Sequence, residues 1–303
     1  MTNKITLVST EPLTLHSDWL VPVIEQYVNL EIYNAEKTYD KRSTVFYASY
    51  MKSPTPVQQQ FVEQGFRIVY DNLWEAVVDN NSQYILQHCD WFRHYESLWY
   101  RHLGYHTYQP NKTFKKLAFM PMRRTKPDRT LAVEKLQPWL DDFLWSYVEQ
   151  GRQLPNGGDA LNDWSVQRLF CPEWYDSTCF SFVSESSVLS NKTPIFMTEK
   201  TYKPIAFYHP FVIMGMPGNL KSLRCQGFET FENLFDERYD TELNWSVRLD
   251  CLVKNVKEFK KQPYDRLTQE KIQHNHALFF DPAVTHKYII EQIIEPLLNY
   301  VET

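Results

Sequence analysis

Residues 179–215 read "CFSFVSESSVLSNKTPIFMTEKTYKPIAFYHPFVIMG". The opening "CFSFVSES" is an apolar run that closes in small polar residues, as a strand entering a loop does. The closing "PFVIMG" is apolar throughout its centre, which suits a strand buried on both faces of a parallel sheet. Between them "TEKTYKPIAFY" offers a short helix. Strand, helix and strand in that order form the crossover unit of a parallel α/β sheet. Pro204 cannot lie deep in a helix without losing a backbone bond, so the helix is expected to start near Thr201 to Lys203, with Pro204 in its first turn. Thr198, Glu199 and Lys200 then stand at the helix entrance.

The same alternation extends outward. Upstream, "KKLAFMPM" predicts a strand at Leu117 to Met120, followed by the basic loop "RRTKPDR" and a long amphipathic helix through "TLAVEKLQPWLDDFLWSYVEQG". The pair "NG" and "GG" near Asn156 to Gly158 marks a break. Nearer the N-terminus, "KITLVST", "STVFYASY" and "FRIVYDN" read as strands, with helical spacing in "LHSDWLVPVIEQYV" and in "TPVQQQFVEQG", which Gly65 closes. "SQYILQHC" is a further element. Downstream, "KSLRCQG" is a short helix ended by Gly227, and a last helix begins behind Pro282 with Tyr288, Ile289, Ile293, Leu297 and Tyr300 on one apolar stripe. The expectation is an α/β protein of two Rossmann-like domains facing a cleft, spanning 1–112 and 113–280, with a C-terminal helix at 281–303 packing back across to the first.

Composition narrows the function. The chain has 303 residues, 43% apolar and 16% aromatic, with only 8 Gly and no GxGxxG or GxxxxGK[ST] loop, which disfavours a nucleotide hydrolase or kinase. The net charge of −5 provides no global attraction to nucleic acid, although a local basic patch is compatible with it. Five cysteines lack CxxC spacing, and the histidines of "HNH" at 274–276 lack partner ligands, so neither a disulfide framework nor a metal site is expected. No apolar stretch has membrane-spanning length and no leader is evident, so the expectation is a cytoplasmic protein with no membrane partner. The segment "WFRHYESLWYRHLGYHTY", 91–108, interleaves aromatics with Arg and His, which suits stacking on sugars or bases and equally a helix core.

Phosphate chemistry fits two places. A helix N-terminus offers unpaired N–H groups and partial positive charge, so Lys200 and Lys203 with a hydroxyl from Thr198 or Thr201 would hold an anion. Glu199 is unsuited to phosphate but suited to accept two hydrogen bonds from a ribose diol. Phosphate beside ribose describes a nucleotide. The plainer reading has Thr198 as an N-cap, Glu199 as a first-turn acid and both lysines solvated. Arg123, Arg124, Lys126 and Arg129 follow a strand and precede a helix, the other place where α/β folds hold phosphate, and Glu185 also follows a strand.

The string from "SFVSESS" through "TEKTYKPIAFYHPFVIMG" resembles the donor-binding signature of GT-B glycosyltransferases of the α1,3-fucosyltransferase and exostosin-like kind, and "FMPMRRTKPDR" is similar to their Arg-bearing loop. The segment through "GMPGNLKSLRCQGFETFENLFDERYD" also resembles proteins common in large tailed phages. The resemblance covers about residues 115 to 240. It implies a nucleotide-sugar donor, UDP- or GDP-linked, in the C-terminal domain and an acceptor domain before it. Glu185 matches the acid ahead of the T-E-K, Glu199 the ribose-binding acid, Lys200 the diphosphate-binding base, and Arg123 or Arg124 the arginine facing the leaving phosphate. Ser186 stands where the family carries Asn.

Such an enzyme stabilises the diphosphate leaving group with fixed cations, and no DxD motif is present, which agrees with metal-independent hexosyl or pentosyl transfer without a cofactor. An inverting course needs a base in the N-terminal domain, for which Glu11, Asp18 and Asp71, with Glu75, are candidates behind strands. The acceptor is expected to be a hydroxyl on a glycan, a protein or a hydroxymethylated base of phage DNA. The alternative is a non-catalytic module that binds a nucleotide sugar or glycan.

Overall fold

Short runs rich in Val, Ile and aromatic residues become the strands of two separate sheets. The computed structural model describes residues 6–9, 25–26, 28–32, 34–40, 44–49, 60–61, 63–72, 83–87, 91–154, 171–189 and 195–295. They fall into two units, one of Met1–Trp99 with Asp281–Thr303, the other of Tyr100–Phe280.

In the first unit β1 (Thr6–Ser9), β2 (Asn29–Ile32), β3 (Thr44–Ser49), β4 (Arg67–Asn72) and β5 (Gln83–Gln87) form a parallel sheet in the order β2-β1-β3-β4-β5. Sequence reading passes over β2, whose four residues "NLEI" place it at an edge with polar residues at alternate positions. The helical turn before β4 closes as expected at Gly65, which takes φ 82°. There the Phe66 N–H donates to the Phe61 carbonyl at 2.9 Å and the two rings meet edge to face, the hydrogen bond and apolar contact of a Schellman closure. The aromatic segment forms α1 (Trp91–His102), whose residues up to Trp99 belong to this unit and whose last three belong to the other, and a 3-10 turn at Tyr105–Thr107; the helix buries Tyr95 and Tyr100, so packing accounts for them. The last described helix begins behind Asp281, whose side chain accepts from the Ala283 N–H at 2.9 Å, and continues through a π turn at Ile290–Ile294. His94 stacks on Tyr288 at 3.8 Å and lies 3.2 Å from Thr285 Oγ1. Among the described residues no helix is long and apolar enough to cross a membrane.

In the second unit β6 (Lys116–Met122), β7 (Phe143–Tyr147), β8 (Thr178–Ser184) and β9 (Phe211–Met214) are parallel in the order β7-β6-β8-β9. Every residue of β8 and β9 is buried, as their sequences imply. Around the sheet run α2 (Pro127–Leu136), α3 (Pro172–Asp176), α4 (Glu199–Ala206), α5 (Asn219–Cys225), α6 (Trp245–Glu258) and α7 (Arg266–Phe279).

Two expectations are corrected. The long helix behind the basic loop stops at Leu136, passes through a 3-10 turn at Gln137–Asp142 that contains Pro138, and re-enters the sheet as β7. Proline removes a helical donor, and the run "FLWSY" is aromatic enough to pair at a sheet edge. Secondly, α4 starts at Glu199 rather than at Thr201 to Lys203, so Pro204 is its sixth residue and lies beyond the first turn. The helix tolerates it by ending two residues later, where the Phe207 and His209 N–H groups donate to the Pro204 carbonyl at 3.2 and 3.0 Å.

The order β7-β6-β8-β9 places a topological switch between β6 and β8, whose following segments lead to opposite sides of the sheet. Open parallel sheets bind ligands at the carboxyl ends of the strands beside such a switch. The loop that carries Arg123 and Arg124 follows β6, and Glu185 follows β8.

Candidate functional site at the β6–β8 switch

The site is organised by a buried acid. Glu185 leaves β8 completely buried, and its carboxylate accepts from the Ser186 N–H at 3.0 Å, the Thr198 N–H at 3.0 Å, Thr198 Oγ1 at 2.7 Å and Thr201 Oγ1 at 2.6 Å. The segment after β8 is thereby tied to the first turn of α4. Thr198 is the N-cap of α4, its hydroxyl accepting from the Lys200 N–H at 3.4 Å. A carboxylate at a helix N-terminus is electrostatically favourable, so Glu185 takes the anion position at the head of α4.

The charges that face outward come from the next residues. Lys200 Nζ donates to Glu199 Oε1 at 2.6 Å, Thr198 Oγ1 at 3.1 Å and Ser186 Oγ at 3.3 Å, and it keeps about a quarter of its side chain exposed, 27%. Burial alone would push the Glu199 carboxyl up, but Lys200 and Lys203 outweigh it and hold the group at about 2. Glu199 is therefore an ionised carboxylate at neutral pH, nearly buried, with a cation beside it.

The β6 loop supplies further cations. Arg124 is exposed, Arg123 is half-buried, and neither side chain makes a hydrogen bond or ion pair among the described residues. The loop is braced by Glu149, whose Oε2 accepts from the Thr125 N–H at 2.6 Å and whose own N–H donates to the Arg123 carbonyl at 3.0 Å. Arg129, in the first turn of α2, is buried and donates through Nε to Ser184 Oγ at 3.0 Å, through one terminal nitrogen to the Arg124 carbonyl at 3.1 Å and through the other to the Ser184 and Glu185 carbonyls at 3.4 Å. Burial lowers its pKa, against the opposing pull of Asp128 and Glu185. Lys126 Nζ donates to the Ser186 carbonyl at 2.6 Å. Arg129 and Lys126 stand in the basic loop as read from sequence, but their hold on residues 184–186 appears only in three dimensions.

The structure thus brings Glu185, Thr198, Glu199 and Lys200 together, with Lys203 in the same helix and the Arg123 and Arg124 loop behind β6. Asp71 is the penultimate residue of β4, at its carboxyl end. Glu11, Asp18 and Glu75 lie outside the described residues.

Behind β9 the backbone is packed tightly. A Cβ on Gly215 would lie 2.5 Å from Asn219 Oδ1 and 3.1 Å from Ile213 Cγ2, and one on Gly218, at φ 88°, would lie 2.9 Å from Ile195 Cδ1. Gly215→Ala is therefore expected to cost about 1–3 kcal/mol, the range for overpacking a filled interior. Urea unfolding of the variant tests this, and an unchanged midpoint would show that Asn219 can yield.

No protein-family model matches the chain, and no curated protein matches its sequence. Its fold is nonetheless a known one: the α/β architecture with parallel sheets is of the GT-B type. Among solved structures it is similar to a crystal structure of α1,3-fucosyltransferase at a TM-score of 0.50 and 10% identity, covering 93% of this chain and 92% of that one. Crystal structures of α1,3-fucosyltransferase with GDP-fucose and with GDP match at TM-scores of 0.45 and 0.43, with 10% and 11% identity, covering 92% and 93% of this chain and 90% and 92% of those.

Proposed function

We propose that the protein transfers a sugar from a nucleotide-sugar donor to a hydroxyl acceptor. The observation that carries this reading is the site at the β6–β8 switch, where Lys200 and an ionised, nearly buried Glu199 stand beside loop cations that make no ion pair among the described residues. The fold shared with an α1,3-fucosyltransferase supports it.

In this reading Glu199 accepts the ribose hydroxyls, while Lys200 and Lys203 with Arg123 or Arg124 take the diphosphate of a UDP- or GDP-sugar. Breaking the sugar–phosphate bond leaves negative charge on the diphosphate, and cations fixed before the reaction stabilise it without reorganising. Thr198 and Thr201 spend their hydroxyls on Glu185 and act by shaping the turn. An inverting course needs a carboxylate to take the acceptor proton, for which Asp71, at the end of β4, with Glu11 and Asp18 are the candidates. The acceptor we favour is a hydroxyl on a glycan or a hydroxymethylated base of phage DNA, reached in a cytoplasm.

Calorimetric titration with UDP, GDP, ADP, CDP and their sugar conjugates tests the reading. Micromolar binding of one nucleotide, followed by transfer from its sugar to an acceptor in a panel of glycans and hydroxymethylated DNA, is the expected result. Failure of folded protein to bind any of them would overturn it; binding without turnover would leave a nucleotide-sugar-binding module.

A further inference from the structure

We propose that Lys126 is a further phosphate-binding cation of this site, acting with Lys200 on the donor's diphosphate. The inference rests on the nucleotide-sugar reading above and adds a residue to it.

Lys126 occupies the N-cap of α2, a position that Ser, Thr, Asp or Asn usually fill because they accept from the first helical N–H groups. A lysine can accept none of them, and α2 has no side-chain cap. Instead its Nζ reaches the Ser186 carbonyl at 2.6 Å, while Lys200 Nζ reaches the hydroxyl of the same residue at 3.3 Å. Two ammonium groups from two different elements thus converge on one serine. Arg124 and Arg129 are close enough that they, with Lys200, act electrostatically on Lys126. Burial, then Arg129, and further Lys200 and Arg124 all weaken its hold on its proton, and Asp128 opposes them.

The acceptors are as informative as the charges. Among the described residues neither Lys126 nor Arg129 has a carboxylate within ion-pair distance. Their hydrogen bonds go to the carbonyls of Arg124, Ser184, Glu185 and Ser186 and to the Ser184 hydroxyl, all neutral. The gathered cations repel one another; Asp128, Glu185 and Glu199 offset part of that repulsion without an ion pair to Lys126 or Arg129, and an entering anion relieves the rest. Sites that trade stability for binding in this way are common at functional positions.

Lys126 could otherwise serve only as a latch that holds the loop behind β8 through Ser186. The two roles predict opposite signs for the free protein. A latch stabilises it; a cation waiting for an anion does not. Thermal midpoints without ligand and calorimetric affinities for inorganic pyrophosphate and for the nucleotide diphosphates are to be measured on the wild type, Lys126→Met and Lys126→Arg. The expected result is a Met variant that melts no lower than the wild type yet binds pyrophosphate about tenfold or more weakly, the loss of one charge-assisted hydrogen bond. Its affinity should also fall less steeply with salt, and the Arg variant should keep most of the binding. A Met variant that melts lower with unchanged affinity, or fails to fold, would assign the latch and overturn the proposal. A wild type that binds neither pyrophosphate nor any nucleotide would overturn both this inference and the donor-site reading. Equal binding by wild type and Met variant would remove Lys126 alone.

Discussion

Glu185→Ala is expected to lose about 3–5 kcal/mol of unfolding free energy, the largest stability effect of any single site residue. The wild-type carboxylate is completely buried and accepts from four donors, two of them backbone N–H groups. Truncation removes the acceptor of all four donors at once. The threonine hydroxyls can turn to other partners, but the Ser186 and Thr198 N–H groups are fixed, and each stranded buried donor costs about 1–3 kcal/mol. Glu185→Gln keeps the shape but turns an NH2 toward groups that already donate, so its cost is smaller, about 2 kcal/mol. Glu258→Ala, at an exposed helix end, serves as a reference near zero. Urea unfolding of the three variants provides the comparison. If Glu185→Ala and Glu258→Ala unfold at the same midpoint, the buried acid is not what joins the β8 loop to α4.

On the proposed function, Lys200→Ala is expected to lower affinity for a bound nucleotide about 10- to 100-fold, the range for a charge-assisted hydrogen bond to phosphate. The same substitution has a second signature. Glu199 is held at about 2 against a burial effect that would raise it, with Lys200 the leading cause of the depression. A carboxylate whose folded pKa lies below its unfolded value contributes stability above the unfolded value, near 4.5, and that contribution is lost as pH falls through about 2. Its full size is about 3 kcal/mol. Without Lys200 the depression shrinks, burial weighs more, and the stabilising increment above pH 4.5 should largely vanish. Stability profiles of the two proteins from pH 7 to 2 should therefore converge at the acid end. Parallel profiles, or undiminished nucleotide affinity, would mean that Lys200 is an ordinary solvated lysine.

Much of this architecture is legible in the sequence because parallel strands buried on both faces are nearly continuous apolar runs. "AFMPM", "CFSFVS" and "FVIM" could be little else. The edge strands are harder to read for the same reason: β2 is short and polar at alternate residues, and β7 sits in a stretch whose Leu, Trp and Phe also satisfy helical spacing. The gathering of Thr198, Glu199, Lys200 and the arginine loop follows from their place behind strands of one sheet. What Glu185, Lys126 and Arg129 do could not be read that way. Their partners are set by a chain that returns 13 and 16 residues later for Glu185, and 55 to 60 residues later for the two cations. No local pattern encodes such distances.

The division of the chain bears on how the protein is made. The unit that carries the β6–β8 site is one uninterrupted segment, Tyr100–Phe280, whereas the other combines Met1–Trp99 with Asp281–Thr303. Units fold as their residues leave the ribosome. The five-stranded sheet emerges first yet must wait for the helix at Pro282–Ile289 to be synthesised before its unit is complete, while the later sheet has all of its chain beforehand. A nascent protein arrested after Phe280 should already hold the whole of the cationic site.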